Sequence, residues 1–152
     1  MGPYGNTASL HLPLHSLSLA QHLKPAKLPS MPSRPDPRQR VRAIAETLPE
    51  VNVREGQHLA FDIRGKRFAY YLDDHHGDGR LAICCKAAPG VQELLVEAQP
   101  GRFFRPSYLG PKGWLGLYLD IEEVDYEEVE NLLTEAYRLI APKRLAALVS
   151  PA

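Results

Sequence analysis

The stretch that decides the fold is HLAFDIRGKRFAYYL, residues 58–72, which predicts a β-hairpin. Apolar side chains occupy every second position from Leu59 to Ile63, as in a strand with one buried face. Residues 64–66 read Arg-Gly-Lys, a polar turn in which the glycine tolerates positive φ. Residues 67–72 then form a second strand rich in aromatic side chains. Two strands joined by so short a turn pair antiparallel.

The remaining elements are predicted from the same two periodicities. Apolar side chains at helical spacing predict helices, and alternating ones predict strands. We expect helices from Arg38 to Leu48, over residues 91–98 and from Asp125 to Pro142, and further extended segments over residues 80–86, 102–108 and 114–120. The order α-β-β-β-α-β-β-α indicates an α+β protein with an antiparallel sheet and helices packed on one face. It argues against a Rossmann-type nucleotide fold, in which strands and helices alternate.

The chain changes character near Asp36. Residues 1–37 hold prolines at positions 3, 13, 25, 29, 32, 35 and 37, a density that prevents a regular helix or a central strand. We therefore expect a disordered, proline-rich extension over residues 1–37. One domain follows over residues 38–146, and residues 147–152 form a short tail.

Composition limits the partners that the chain can have. The 152 residues include 18 basic and 18 acidic side chains, so the formal net charge is zero. Any electrostatic partner has to be recognised by local patches, because the net charge attracts neither nucleic acid nor a membrane. The sequence has no apolar run near the roughly 18 residues that span a bilayer, and no secretory signal pattern. We expect a cytoplasmic monomer that does not contact membranes.

The two cysteines, Cys84 and Cys85, are adjacent in the third predicted strand. Neighbouring residues of a strand point to opposite faces of the sheet. We therefore expect neither a disulfide between these thiols nor a metal site that they share.

Two acidic segments leave alternatives open. Residues 73–78, Asp-Asp-His-His-Gly-Asp, could hold a metal ion, or they could form a polar hairpin loop, in which such residues are common. The acidic run 120–130 could bind cations or a basic partner, or it could complement the dipole of the last helix. We favour the structural interpretation of both and expect no cofactor. The sequence also has no glycine-rich phosphate loop and no recognisable nucleophile motif, so we do not expect an enzyme.

Basic side chains flank the predicted turns. Arg64, Lys66 and Arg67 surround the first hairpin turn, and Lys143 and Arg144 follow the last helix. A second group is interleaved with aromatic rings and consists of Arg102, Phe103, Phe104, Arg105, Tyr108, Lys112 and Trp114. Basic hairpin tips with aromatic rings nearby can grip phosphates. The alternative is an ordinary solvated rim of Lys and Arg beside core aromatics.

Four segments together resemble the MmcQ/YjbR family. They are LPE at residues 48–50, HLAFDIRGKRFAY at 58–70, PGRFFRPSYLG at 100–110 with Gly113-Trp114 after it, and AYRLIAPKR at 136–144. The resemblance covers residues from about 38 to 146. It implies a CyaY/frataxin-like fold, with helices on one face of an antiparallel sheet, and DNA binding through a double wing of hairpins.

Carried over to this sequence, the family's wings correspond to residues 64–67 and to the segment 102–114. The N-terminal extension is not explained by the resemblance. Frataxin-like iron binding is not expected either, since the acidic residues lie on the last helix and not on the first.

We predict a non-enzymatic DNA-binding protein whose hairpin cations neutralise phosphates, with Tyr108 and Trp114 supporting or stacking. The predicted contacts are Arg64, Lys66, Arg67, Arg102, Arg105, Tyr108, Lys112, Trp114, Lys143 and Arg144. The alternative is a small-ligand or protein-interaction module that uses the sheet face near Tyr71, Trp114 and Tyr118. A deep apolar pocket with converging polar groups would favour it. A buried, strongly perturbed His58 or Asp62 in a cleft would instead favour an enzyme.

Overall fold

The computed structural model describes residues 35–151. The predicted disordered extension therefore lies outside the described residues, apart from its last three positions. There Asp36 caps the first helix by accepting a hydrogen bond from the Arg38 backbone amide (3.1 Å), and Pro37 occupies the first helical position. The helices are α1 Pro37–Glu46, α2 Val91–Ala98, α3 Tyr126–Ile140 and α4 Lys143–Ala146. The strands are β1 Val51–Glu55, β2 Leu59–Ile63, β3 Lys66–Asp73, β4 Leu81–Cys85, β5 Phe103–Phe104 and β6 Leu115–Tyr118.

The strands form one antiparallel sheet in the order β1-β2-β3-β4-β6-β5. The hairpin predicted from residues 58–72 is confirmed, with Leu59 opposite Tyr71 and Ile63 opposite Lys66. The α+β class is confirmed as well. The predicted element order lacked β1, an edge strand that is only half buried, and the short helix α4. Residues 102–108 contribute only the two-residue strand β5.

All four helices lie on one face of the sheet, here called the inner face. One buried cluster joins side chains from α1, α3 and α4 with the inner face of the strands, and α2 packs against it with half-buried residues. The helical members of the cluster are Val41, Ala45, Val129, Leu133, Ala136, Tyr137 and Leu145. The opposite face, here called the outer face, has no α-helix among the described residues. Cys85 belongs to the inner cluster and Cys84 to the outer one, as predicted for neighbours on a strand. Both thiols are free and buried, and burial raises the pKa of the Cys85 thiol to about 12.

A β-bulge in β3 shapes the outer face. The register shifts from Phe61 opposite Ala69 to Asp62 opposite Arg67, so that Phe68 is an extra residue in β3. Asp62 and Arg67 thereby point together toward the outer face. The Asp62 carboxylate accepts hydrogen bonds from Arg67 and from the Nε of Arg54 on β1 (3.0 Å). Because the Asp62 residue is only 3% exposed, its charge depends on these two arginines. The hydrogen bond from Arg67 lowers the pKa of Asp62 below its ordinary value.

No described helix is both long and apolar enough to cross a bilayer.

We expect Asp62→Ala to lower the free energy of unfolding by about 2–3 kcal/mol, because it removes charge-assisted hydrogen bonds and leaves a partly buried guanidinium without its carboxylate. Arg64→Ala is the control, since its ion pair with Glu50 is about half exposed and such pairs contribute little to stability. Urea unfolding followed by circular dichroism measures both variants. Equal losses in the two variants would contradict the importance of the buried cluster.

Candidate nucleic-acid interface and outer-face cavity

Basic residues gather at one end of the sheet, here called the basic end. Cys85 on β4 pairs with Ala69 on β3 and with Leu115 on β6, so Lys66, Lys86 and Lys112 all lie beyond the same ends of these strands. The ammonium group of Lys86 donates a hydrogen bond to the carbonyl oxygen of Lys112 (2.8 Å), which places the two lysines side by side. The chain thus brings cations from three separate segments together.

Helix α4 adds two further cations to the basic end. Arg138 on α3 holds α4 by donating hydrogen bonds to the carbonyl oxygens of Ala146 (2.9 Å) and Val149. The pKa of Glu50 is lowered, first by the hydrogen bond from Arg64 and in smaller part by the charge of Arg144. Arg144 therefore lies near the β2–β3 turn, and its neighbour Lys143 is exposed as well.

The predicted cations of the first wing differ in their freedom to bind phosphate. Arg64 donates two hydrogen bonds to the Glu50 carboxylate (2.8 and 3.2 Å), and Arg67 is held by Asp62 and by the Tyr70 hydroxyl (2.7 Å). By contrast, Lys66, Lys112, Lys143 and Arg144 are exposed and have no carboxylate within ion-pairing distance among residues 35–151. The free positive charge of the basic end therefore lies on these four residues and on Lys86.

The other predicted contacts do not join this group as one surface. Arg102 lies at the opposite end of the sheet, where its guanidinium pairs with Glu128. Arg105 follows the edge strand β5 at the same end as Lys112 and lies exposed over Gly110, one strand farther from Lys66. Trp114 is only 7% exposed and packs with its ring centroid 6.0 Å from that of Tyr70, so its ring can support the surface but cannot stack on a base. Tyr108 is 81% exposed and lies over the outer face.

The opposite end of the sheet is acidic. Asp125 caps α3 by accepting hydrogen bonds from the backbone amides of Glu127 (3.0 Å) and Glu128 (3.4 Å). These acids lie at the helix N-terminus, where negative charge complements the helix dipole, as in the structural interpretation of the acidic run. Asp120 follows β6 at this same end and pairs with Arg80. A chain of zero net charge is therefore polarised, with cations at one end of the sheet and carboxylates at the other.

The outer face carries a cavity of about 510 Å³. Its floor consists of side chains from β3, β4 and β5, and the chain from Pro106 to Leu109 forms one wall. The β3–β4 loop forms the facing wall. Gln92 on α2 fixes the segment that carries the first wall, because its amide donates hydrogen bonds to the carbonyl oxygens of Gly110 (2.9 Å) and Trp114. Tyr71, named with the sheet face in the sequence-based alternative, instead lies buried on the inner face, whereas Tyr118 is on the outer one.

Two histidines form an ordered pair at the cavity wall. The backbone amide of Asp73 donates a hydrogen bond to His58 Nδ1 (3.0 Å), which assigns the proton of the neutral His58 ring to Nε2. That Nε2 lies 3.3 Å from His75 Nδ1, so His58 donates and His75 carries its own proton on Nε2. Burial, together with the charges of His76 and His58, lowers the pKa of His75 below its ordinary 6.5. His75 therefore stays uncharged at neutral pH.

The β3–β4 loop shows no metal-binding geometry in the described chain. No three His, Cys, Asp or Glu side chains of residues 35–151 converge on one point. Its acids instead stabilise the turn, since Asp74 Oδ1 accepts from the Gly79 amide (2.6 Å) and Asp78 Oδ1 from the Arg80 amide (2.9 Å). Sequence reasoning missed the role of Lys86, although a lysine directly after a predicted strand was a usable signal. It also missed the His58–His75 pair, because no local pattern links residues 17 positions apart.

We expect the free energy of unfolding to fall as the pH is lowered through the histidine range. The unfolded chain takes up a proton on His75 at a higher pH than the folded chain does, because the folded pKa is the lower one. Urea unfolding at about pH 7.5 and about pH 5.5 brackets this range. The difference should be smaller in His75→Gln than in the unmodified protein. An identical pH dependence in both would contradict the lowered pKa of His75 in the folded protein.

Comparisons with known proteins give one matching family model and one similar fold. The family model described as YjbR matches residues 45–139 of the chain. A crystal structure of the Deinococcus radiodurans protein DR2400, with a DUF419 domain, resembles the chain with a TM-score of 0.55 and 24% sequence identity. The similarity covers 66% of this chain and 75% of that one, and it supports the fold. No curated protein matches the chain. Since the family model spans more than half of the sequence, the chain belongs to the YjbR family.

Proposed function

We propose that this YjbR-family protein binds double-stranded DNA through its basic end and catalyses no reaction. One observation carries the proposal. In a chain of zero net charge, five cations without a carboxylate partner among the described residues gather at one end of the sheet: Lys66, Lys86, Lys112, Lys143 and Arg144. A local cationic surface of this kind supplies the electrostatic attraction to phosphates.

The hairpin turn between β2 and β3 would act as the first wing. Lys66 would reach a phosphate from its exposed tip, while Arg67 stays with Asp62 and fixes the shape of the strand behind it. Lys112, on the turn before β6, would supply the second wing. The acidic end would be repelled by the duplex and would orient the protein during approach.

The proposed contacts are to the DNA backbone. Lysine ammonium groups act on phosphates as point charges, and the buried Trp114 cannot stack on bases. We therefore propose binding with little sequence discrimination, since phosphate contacts position a protein without reading sequence. The same proposal has the protein act in the cytoplasm as a monomer.

The test is a salt titration of the full 152-residue chain against a labelled random duplex by fluorescence anisotropy. Each lost phosphate contact should flatten the slope of log K against log salt by about 0.9. Lys66→Ala, Lys112→Ala and Arg144→Ala should each show about this change, and the triple variant should show about 2.7.

Arg42→Ala is the matched control for the single variants. It also removes one positive charge, but from α1, where Arg42 pairs with Glu46 and with Glu55 at the far end of β1. Its slope should equal that of the unmodified protein. The proposal is wrong if the triple variant keeps the original slope, or if the unmodified chain shows no binding at low salt.

A further inference from the structure

The mouth of the outer-face cavity holds strained backbone. His76 and Tyr108 both have left-handed φ values, 58° and 65°, and their rings face each other with centroids 6.2 Å apart. This conformation is disfavoured for residues other than glycine, and a tyrosine has no short polar side chain that could offset it. The Tyr108 ring is 81% exposed, so the fold gains little from burying it. The turn around Tyr108 holds this conformation, since the Gly110 amide donates a hydrogen bond to the carbonyl oxygen of Pro106 (2.7 Å), and strained residues are frequent at binding sites.

The cavity has the size for one small molecule with an apolar surface. Its volume of about 510 Å³ lies within the range of small-molecule sites. Tyr70 and Phe104 contribute aromatic surface to the lining, and Leu72 and Ala82 add aliphatic surface. Tyr108 can cover a ring placed there from the solvent side. Aromatic rings stack favourably on flat heterocycles of many kinds.

The polar groups at the cavity wall include a donor beside an acceptor. His58 Nε2 donates its hydrogen bond to His75 Nδ1. The Nε2–H of His75 therefore remains a donor from which no described residue accepts. Asp78 also lines the cavity, and its Oδ1 accepts from the Arg80 amide while its Oδ2 has no partner in the described part of the chain. A ligand edge that accepts from His75 and donates to Asp78 would satisfy both.

The charge of the wall excludes an anionic ligand. Among residues 35–151, Arg80 is the one Lys or Arg side chain that lines the cavity, and the Asp120 carboxylate neutralises it through two hydrogen bonds of 2.8 Å. His75 is neutral, and Asp78 adds a negative charge. Phosphates and carboxylates would therefore meet repulsion here, whereas the basic end attracts them.

We propose that the outer-face cavity binds one uncharged heteroaromatic ring of the nucleobase class, stacked against Tyr108 and recognised at its edge by His75 and Asp78. Adenine, guanine and cytosine each carry an acceptor next to a donor on one edge. Bases paired within a duplex cannot enter, so the ring comes from a free nucleoside or from an unpaired base in a strand. This site is separate from the duplex contacts of the basic end.

The test titrates the full chain with adenosine, guanosine, cytidine and uridine, and separately with a short single-stranded oligonucleotide. Salt of about 0.5 M suppresses phosphate contacts at the basic end. Trp114 is the single tryptophan and packs on Tyr70 at the cavity wall, so its fluorescence reports occupancy, and calorimetry gives an independent reading. We expect saturable binding of at least one nucleoside or of the oligonucleotide.

Tyr108→Gly is the decisive variant. It should weaken binding at least about tenfold, because stacking is lost, while the urea midpoint of unfolding stays the same or rises, because glycine accepts the left-handed backbone. Glu50→Gly is the matched control, since Glu50 has the same backbone conformation (φ 59°) but lies near the β2–β3 turn at the basic end. Its ligand affinity should not change.

The outcomes distinguish a free nucleoside from an unpaired base in a strand as the source of the ring. They also distinguish a binding role of Tyr108 from a role in the fold alone. Binding of nucleosides points to a free ligand, and binding of the oligonucleotide alone points to an unpaired base in a strand; both support the site. Absence of binding by every probe overturns it. So does an affinity that Tyr108→Gly leaves unchanged, or a Tyr108→Gly variant that loses stability and affinity together, which would assign Tyr108 to the fold alone.

Discussion

Every strand of this sheet has two faces, but the described chain supplies helices for only one of them. The inner face is closed by α1, α2, α3 and α4, which together bury one continuous apolar cluster. The outer face carries Tyr70, Leu72 and Cys84, and exposing all of this apolar surface to water would be unfavourable. The segment before β6 folds back over it and brings Leu109 and Trp114 into contact. Because a loop covers less area than a helix, the closure is incomplete and the cavity remains.

Positive and negative charges are separated between the two ends of the strands, and not between the two faces of the sheet. The strand ends at Lys66, Cys85 and Leu115 coincide, so cations that belong to three different turns become neighbours. The acids at the start of α3 lie at the other end because α3 runs back along the sheet. The two surfaces therefore suit ligands of different charge. The basic end matches polyanions, while the wall of the cavity, with the His75 donor, the Asp78 acceptor and an Arg80 that Asp120 neutralises, suits an uncharged ring.

The sequence allowed the class of the fold to be predicted because the hairpin and the helices follow clear periodicities. It did not reveal β1, because Val51–Glu55 is a short edge strand with only two apolar residues, Val51 and Val53. Local patterns identified Lys66 and Lys112 as candidate contacts. They could not show that Arg64 and Arg67 pair with Glu50 and Asp62, since such partners are fixed by strand register and side-chain geometry. Burial of Trp114 likewise depends on a loop that returns over the sheet.

The bulge at Phe68 shifts the alternation of side chains between the two faces of β3. Before the bulge, Arg67 points outward; after it, Tyr70 and Leu72 do. Since side-chain direction alternates with a period of two, a strand without the bulge would place Arg67 and Tyr70, three positions apart, on opposite faces, and the extra residue keeps both on the outer face. Deletion of Phe68 would restore regular alternation and leave Tyr70 and Leu72 outward, whereas a deletion between Tyr70 and Leu72 would exchange the two faces of the rest of the strand. A one-residue gap in sequence alignments of this family is therefore expected at the bulge and not elsewhere in this strand.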